Sequence, residues 1–196
     1  MKAPFFKRLF AYIIDILIIS IVTSIICSAI PNKNKEIEDK LRELSTELME
    51  QKIDSNEYIA TYKDLMYENN KNEKVVLCVN LVIVLAYFVV FQYLNKGQTI
   101  AKKLLHIKVV DKDSKKEVSI LKGLLRSILP LSILSNIVAV VFIKVLSKNA
   151  YMDTYLAISM IESMFILVTI FLILFRKDGR GLHDMMANTM VIEEKR

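Results

Sequence analysis

The sequence predicts an all-α integral membrane protein with four transmembrane helices. Hydrophobic residues make up 54% of the 196 residues, and the mean hydropathy of +0.38 does not fit a soluble domain with a polar exterior. Four apolar runs reach the length of about 20 residues that a helix needs to cross a hydrocarbon core of about 30 Å. The runs cover residues 9–30, 75–94, 124–146 and 155–175.

The segments between these runs differ in charge, and the difference predicts the orientation. Residues 92–122 carry eight lysines against three acidic residues, and three basic residues precede the first run. Residues 31–74 carry eight basic residues against eleven acidic ones. Because basic residues in short loops stay in the cytoplasm, we expect both termini and residues 92–122 inside and residues 31–74 outside. The net charge of +6 then reflects membrane orientation, and nucleic acid is not an expected partner.

The first run has one competing interpretation, a secretory signal peptide, because basic residues precede an apolar stretch. The run is longer than the apolar region of a signal peptide, which covers about 7 to 15 residues, and it contains Asp15. It shows no A-x-A cleavage site, since it ends in Ser28, Ala29 and Ile30. We therefore expect a first membrane span and a multi-pass protein of the cell membrane.

Residues 31–74 separate the first two spans, and their pattern predicts a helical hairpin outside the membrane. Apolar residues recur at spacings of three and four in two stretches, and a capping box over residues 54–57 lies between them. The apolar stripe can pack on itself, on a second copy of the chain or on the membrane surface, and the sequence leaves these options open. It also leaves open whether Cys27 and Cys78, near the outer ends of the first two spans, form a disulfide.

Short elements on the cytoplasmic side are expected to form a small cap. Residues 97–105 have the pattern of a short amphipathic helix at the interface, and residues 106–111 alternate apolar and polar residues as a strand does. After the fourth span, residues 182–187 are predicted as another short helix and residues 189–192 as another strand. Because strands at an aqueous face need backbone partners, we expect the two strands to pair.

Residues at several separate positions carry a resemblance to a known family. They are Arg8, Ala11 and Asp15 in the first run; Gly97, Gln98, Thr99, Lys102, Val109, Val110 and Asp111 in the inner loop; Arg126; and Gly181, Leu182, His183, Asp184, Ala187 and Thr189. At these positions the chain resembles the RDD family of membrane proteins. The family is named for one arginine and two aspartates, here Arg8, Asp15 and Asp184. Ala101 and Asn188 stand where the resemblance leads us to expect glycines.

The resemblance implies a single RDD-type membrane domain over residues 1–196, with the hairpin of residues 31–74 as an insertion. Proteins of this family are multi-span membrane proteins that are often proposed as transporters. Cation–proton exchange is suggested for some of them. The resemblance supplies no substrate.

Charged residues within or beside the apolar runs are the candidates for a functional site. An aspartate at the centre of a span costs about 2.5 to 3.5 kcal/mol on insertion, so such groups are usually paired or functional. Arg126 lies near the cytoplasmic end of the third run at a depth similar to that of Asp15, and we expect these two residues to pair. Asp184 is expected to pair with Arg8. Pro130 is expected to free a backbone carbonyl near the same depth.

The predicted Arg–Asp network allows two interpretations. In one, the ion pairs only attach the cytoplasmic cap to the helices. In the other, Asp15 binds a cation or a proton in exchange with Arg126, which requires the pair to open. Glu162, which lies about two turns into the fourth run, is the second candidate for a proton-carrying site. Its alternative role is a hydrogen bond to Asn136 or Asn80.

The sequence contains no enzyme signature, no phosphate-binding glycine loop and no metal-ligand spacing, so we expect neither catalysis nor a cofactor or metal. The expected function is transport of a small cation, in one version exchanged for protons, or of another small solute. The alternative is a non-transporting scaffold or partner protein of an envelope complex. The expected partners are the lipid bilayer, a small cation or proton, and a second copy of the chain, since four short spans leave a narrow central path.

Overall fold

The computed structural model of this chain consists mostly of helices with a small two-stranded sheet. It describes residues 1–31 and 34–194; Asn32 and Lys33 in the expected hairpin segment, and Lys195 and Arg196 at the expected cytoplasmic C-terminus, lie outside the described residues. The elements in chain order are α1 (Phe5–Cys27), α2 (Lys35–Met49), α3 (Ser55–Asn72), α4 (Lys74–Leu94), α5 (Ile100–Leu104), β1 (Ile107–Asp111), α6 (Ile120–Ser127), α7 (Ile133–Lys144), α8 (Lys148–Phe175), α9 (Leu182–Met186) and β2 (Thr189–Glu193).

Three helices in the described part of the chain, α1, α4 and α8, are long and apolar enough to cross a membrane. Their sequences contain neither glycine nor proline, the two residues that most weaken a helix interior. Between 17% and 22% of the residues in their most apolar stretches are buried inside the chain, so most of their surface is available to lipid. Cys27 at the end of α1 and Cys78 in α4 are free thiols.

The third apolar run forms two helices instead of the single span expected over residues 124–146. α6 ends at Ser127 and α7 begins at Ile133. Pro130 lies between them; it has no backbone N–H, and its ring clashes with a helical carbonyl four residues earlier. Ser132 has a left-handed backbone with φ of 52°, which also interrupts the helix. At 1.5 Å per residue α7 is about 18 Å long, too short to cross a membrane by itself.

The hairpin expected over residues 31–74 is formed by α2 and α3, which pack against each other. Asp54 caps α3, since its side chain accepts two backbone N–H bonds from the first turn, each 2.8 Å long. The Tyr67 ring packs edge-on against that of Tyr151 in α8 at 5.5 Å, and the Asn70 amide donates to the Tyr151 hydroxyl at 3.0 Å. Within one chain the hairpin therefore packs on itself and on the start of α8.

The predicted cap contains the sheet and the two shortest helices. β1 and β2 are antiparallel, with Val109 opposite Val191, so the expected pairing of the two strands is confirmed. An isolated bridge between Lys2 and Ile192 attaches the N-terminal segment to the same sheet. The cap has its own apolar core, which includes Ala3, Ala11, Ala101, Ile107, Val109, Val118 and Val191. Because Ala11 belongs to α1, this core joins the cap to the first spanning helix.

The two positions where the family resemblance leads us to expect glycine fit the local structure. Asn188 has φ of 51°, the left-handed conformation that asparagine tolerates better than most residues. Ala101 lies fully buried inside α5, where an ordinary helical backbone needs no glycine. Neither departure therefore distorts the cap.

Candidate functional site

Asp15 is the fully buried centre of the first polar cluster. It lies in α1 with none of its surface exposed. Its Oδ1 accepts hydrogen bonds from the Tyr87 hydroxyl at 2.6 Å and from the backbone N–H of Ala101 at 3.2 Å. Its Oδ2 accepts from the Thr99 hydroxyl at 2.5 Å, and Lys102 Nζ lies 3.9 Å away. Three donors and a nearby ammonium group therefore satisfy this carboxylate.

α4 and α5 position these donors. The backbone of α4 is π-helical over Ala86–Phe91, a rare turn that occurs frequently at functional sites, and Tyr87 lies within it. Thr99 caps α5, because its hydroxyl oxygen accepts from the backbone N–H of Lys102 at 3.4 Å. The same hydroxyl donates its proton to Asp15. The first turn of α5 is thus directed at the carboxylate.

The predicted pair of Asp15 with Arg126 is wrong. Arg126 Nη1 lies 2.5 Å from Asp184 Oδ1 and 3.2 Å from the Thr189 hydroxyl oxygen. Similar depth along two helices does not decide which sides of the helices face each other. α5 folds against α1 and, together with Tyr87 of α4, supplies the partners of Asp15. α6, which carries Arg126, instead packs against α9, which carries Asp184.

Asp184 is the fully buried centre of the second polar cluster. Arg8 Nη2 lies 2.5 Å from Asp184 Oδ2, so the predicted Arg8–Asp184 pair is present. The same oxygen accepts from the backbone N–H of Gly181 at 3.2 Å, and Arg8 also donates to the carbonyl of Gly179. Burial alone would raise the pKa of the Asp184 carboxyl, but Arg126 and Arg8 hold that pKa below its usual range. The carboxyl group is therefore ionised at neutral pH.

Arg180 and Tyr87 belong to the site although the sequence pattern did not single them out. Arg180 is 7% exposed; its Nε donates to the carbonyl of Thr189 at 2.8 Å, and its Nη2 donates to the carbonyl of Asp184 at 2.9 Å. Its position directly before Gly181 was only a weak indication of a role in the site, because basic residues are common in the cytoplasmic segments that follow a span. Tyr87 gave no signal, because aromatic residues are common in spans.

Two titratable groups beside the aspartates have strongly lowered pKa values. Burial lowers the pKa of Lys102 to about 7; Arg126 adds to this lowering and Asp15 opposes it. Lys102 Nζ also donates to Gln92 Oε1 at 2.9 Å. Burial lowers the pKa of His183 to about 3, so this imidazole is neutral at pH 7. Lys102 can therefore change its charge near neutral pH, whereas His183 cannot.

A cavity of about 190 Å³ adjoins both clusters. Arg8, Asp15, Lys102 and Arg126 line it, and so does Pro130 at the break between α6 and α7. α1 packs on α4 and α5, whereas α8 packs on α7 and α9, and the cavity occupies the space between α1 and α8. Its apolar wall includes Phe5, Leu9, Leu131, Ile166, Ile170 and Ile173. The cavity therefore has one charged end and largely apolar sides.

Glu162 lies in α8 outside the lining of this cavity. It is 2% exposed, and its Oε1 accepts from the backbone N–H groups of Leu134 at 3.2 Å and Ser135 at 3.3 Å. The carboxylate thus caps α7, where free N–H groups and the helix dipole favour an anion. The expected bond to Asn136 or Asn80 is wrong, since among the described residues Oε1 accepts only from these two backbone N–H groups. Among the described residues, Glu162 Oε2 has no hydrogen-bond partner.

Comparison with known protein families gives a match over nearly the whole chain. A sequence profile of the RDD family matches residues 2–188. No curated protein and no solved structure matches the chain. The matched range covers nearly the whole chain and includes Arg8, Asp15, Arg126 and Asp184, so the resemblance carried by the motifs is confirmed. The chain belongs to the RDD family of membrane proteins.

Proposed function

We propose that this RDD protein is a four-span protein of the cell membrane with both termini in the cytoplasm. α1, α4 and α8 supply three of the crossings. α6 and α7, joined by the turn at Pro130, supply the remaining crossing as a discontinuous segment. Irregular backbone at membrane depth is tolerated where it lines a cavity, and Pro130 and Leu131 do line one. The lysine-rich residues 92–122 then lie in the cytoplasm and the acidic hairpin outside.

The proposed activity is transport of a small solute through the cavity between α1 and α8. One observation carries this proposal: the broken segment and residues of both buried charge clusters line the same cavity. Ionisable residues inside a membrane protein are costly, and they commonly mark the paths of solutes or protons. Discontinuous helices form the substrate sites of many transporters.

The geometry favours a solute other than a free cation. A cation that binds Asp15 would first have to displace the Thr99 hydroxyl or the backbone N–H of Ala101. Exchange of a cation for protons would use Lys102 rather than Arg126, because Lys102 is the cation beside Asp15 and its pKa is lowered to about 7. This exchange remains a prediction.

Reconstitution of the purified protein into vesicles tests the transport proposal. A pH-sensitive dye inside the vesicles reports whether Na⁺ or K⁺ dissipates an imposed pH gradient, and radiolabelled organic anions report uptake. Asp15→Asn removes the buried charge of the first cluster. Asp153→Asn is the matched control, since Asp153 is 63% exposed and pairs with Lys63 in the hairpin. A flux that Asp15→Asn abolishes and Asp153→Asn preserves supports transport; no flux for any of these solutes refutes it.

One observation favours the alternative, a non-transporting partner of an envelope complex. Both oxygens of Asp184 are occupied by groups of the same chain, as expected if the ion pairs serve only to attach the cap to the helices. In that case the α2–α3 hairpin and the cap are docking surfaces. The purified protein would then show no flux, and crosslinking in native membranes would join it to another protein. Crosslinks between two copies, together with flux, would instead support an oligomeric transporter.

A further inference from the structure

The described residues that line the cavity present hydrogen-bond donors but no open carboxylate oxygen. Asp15 and Asp184 have no exposed surface, and all four of their oxygens accept bonds from neighbouring groups. A cation that enters the cavity therefore meets no ready ligand among these carboxylates. Among the described lining residues, unused hydrogen-bonding capacity lies on Arg126 and also on Thr169 Oγ1 and His183 Nδ1.

Arg126 is 9% exposed and lines the cavity from α6. In the described part of the chain its hydrogen bonds leave from Nη1 alone, to Asp184 and Thr189. A guanidinium group carries five N–H bonds, so Nε and Nη2 hold the remaining three, and these have no partner among the described residues. The planar fork of an arginine matches the two oxygens of a carboxylate or phosphate.

The charges of the two clusters also favour an anion. Burial lowers the pKa of His183 to about 3, so this residue adds no charge. When Lys102 is protonated the described clusters therefore have an excess of positive charge, and the excess falls as Lys102 loses its proton. The charged groups are the cations Arg8, Lys102, Arg126 and Arg180 and the carboxylates Asp15 and Asp184.

The remaining wall of the cavity is largely apolar and reaches the outer surface of the helices. The polar residues of this wall are Gln92, Ser127, Thr169 and His183. Leu9 and Tyr12 contribute from α1, and Ile166 and Ile170 contribute from α8. Tyr12 is 41% exposed and Ile170 is 38% exposed, so the cavity borders the surface between these two helices. An apolar chain that extends through this gap stays in apolar surroundings while its charged end reaches Arg126.

We infer that the cavity binds the anionic end of an amphiphile, a carboxylate or phosphate group on an apolar chain, with Arg126 donating to the anion and the chain leaving between α1 and α8. An apolar cavity of about 150 Å³ is large enough to bind benzene, so a cavity of about 190 Å³ admits the head group and the first carbons of the chain. The inference names a substrate class for the proposed transport and rests on that function for its cellular role. Binding itself is measurable without transport.

Native mass spectrometry of the purified full-length protein tests this binding. The probes are tetradecanoate and tetradecyl phosphate. Acetate and inorganic phosphate test the same anions without the chain, and tetradecyl trimethylammonium tests the same chain with the opposite charge. We expect both anionic amphiphiles to bind at least about tenfold more tightly than the other three compounds, a difference of about 1.4 kcal/mol or more.

Arg126→Lys is the most informative variant, because it keeps a positive charge beside Asp184 and removes the planar guanidinium group with its parallel N–H donors. The affinity for both anionic amphiphiles should fall about tenfold or more, since hydrogen bonds to charged groups are the stronger ones. Arg176→Lys makes the same change in a half-exposed pair with Asp178 outside the cavity, and it should leave binding unchanged. If Arg126→Lys does not fold, Ile166→Trp fills the cavity from α8 without changing a charge and should abolish binding.

The inference is overturned if the cationic amphiphile binds as tightly as the anionic ones. It is also overturned if Arg126→Lys and Ile166→Trp both bind the anionic amphiphiles with unchanged affinity. In either case partition onto an apolar surface would explain the result. If acetate or inorganic phosphate binds as tightly as tetradecanoate or tetradecyl phosphate, the apolar chain contributes nothing to the affinity. This result would overturn the inference, because the site would then bind a small anion taken up from water. Amphiphile binding without flux would support this site and refute transport. Flux of another solute without amphiphile binding would support transport and refute this site.

Discussion

Replacing Asp184 by asparagine should destabilise the protein strongly. The carboxylate has no exposed surface and lies 2.5 Å from both Arg8 Nη2 and Arg126 Nη1. Asparagine keeps the shape and removes the charge, so two guanidinium groups with side-chain exposures of 9% and 10% lose their counter-ion. Removing one partner of a buried pair costs about 3 to 5 kcal/mol. At about 2 to 4 °C per kcal/mol for a chain of this size, the Tm should fall by about 6 to 20 °C.

The matched control is Asp153→Asn, which removes an exposed carboxylate 2.6 Å from Lys63. Exposed pairs contribute about 0.2 to 1 kcal/mol, so the Tm of this control should fall by less than about 4 °C. A thiol-reactive dye that reports exposure of the free thiols Cys27 and Cys78 can follow thermal unfolding in detergent. If the Tm of Asp184→Asn falls by less than about 4 °C, as that of the control does, the idea that this ion cluster holds the cap to the helices is refuted.

Two further predictions use the same thermal assay. Gly97→Ala should lower stability by about 1 to 3 kcal/mol, because Gly97 has φ of +89° and an added Cβ would lie 2.1 Å from the carbonyl oxygen of Val109. Gly123→Ala, whose Cβ would have no neighbour closer than 3.9 Å, should keep or raise the Tm, and equal effects of the two changes would contradict this account. Lys102→Met should flatten the pH dependence of the Tm. The pKa of Lys102 falls from 10.5 to about 7 on folding, so the unfolded chain binds more protons between these values and stability rises with pH there. If the Tm of Lys102→Met rises between pH 7 and pH 10 as much as that of the unchanged protein, this account of Lys102 is wrong.

The pairing of the two cap strands could be predicted from sequence because it depends on local patterns and a simple requirement. Residues 106–111 alternate apolar and polar residues, residues 189–192 were predicted as a second strand, and backbone groups of both needed partners. The observed register sets Val109 opposite Val191. The Arg8–Asp184 pair was predictable for a similar reason, since an arginine at the mouth of α1 and an aspartate after α8 belong to the same side of the membrane under the charge rule.

The partners of Asp15 could not be predicted in this way. Depth along each run can be counted from its ends, but the rotation of one helix relative to another depends on packing across the whole bundle. The sequence therefore suggested Arg126 by depth, whereas the folded chain brings Thr99 and Lys102 to Asp15 by turning α5 back against α1. Pro130 was recognised as a local disturbance. That it divides the third segment and borders a cavity became visible only in three dimensions.

The sequence by itself determined the membrane character of the protein, the positions of its apolar segments, the helical hairpin, the elements of the cap and the family. These properties follow from composition, periodicity and motif spacing, all of which are local along the chain. The tertiary structure decided which charges meet: Asp15 with Thr99 and Lys102, and Asp184 with Arg8 and Arg126. It also decided that both carboxylates are saturated, whereas Nε and Nη2 of Arg126 have no partner among the described residues. Contacts between residues more than 50 positions apart in sequence depend on how the helices pack, and no local pattern records that packing.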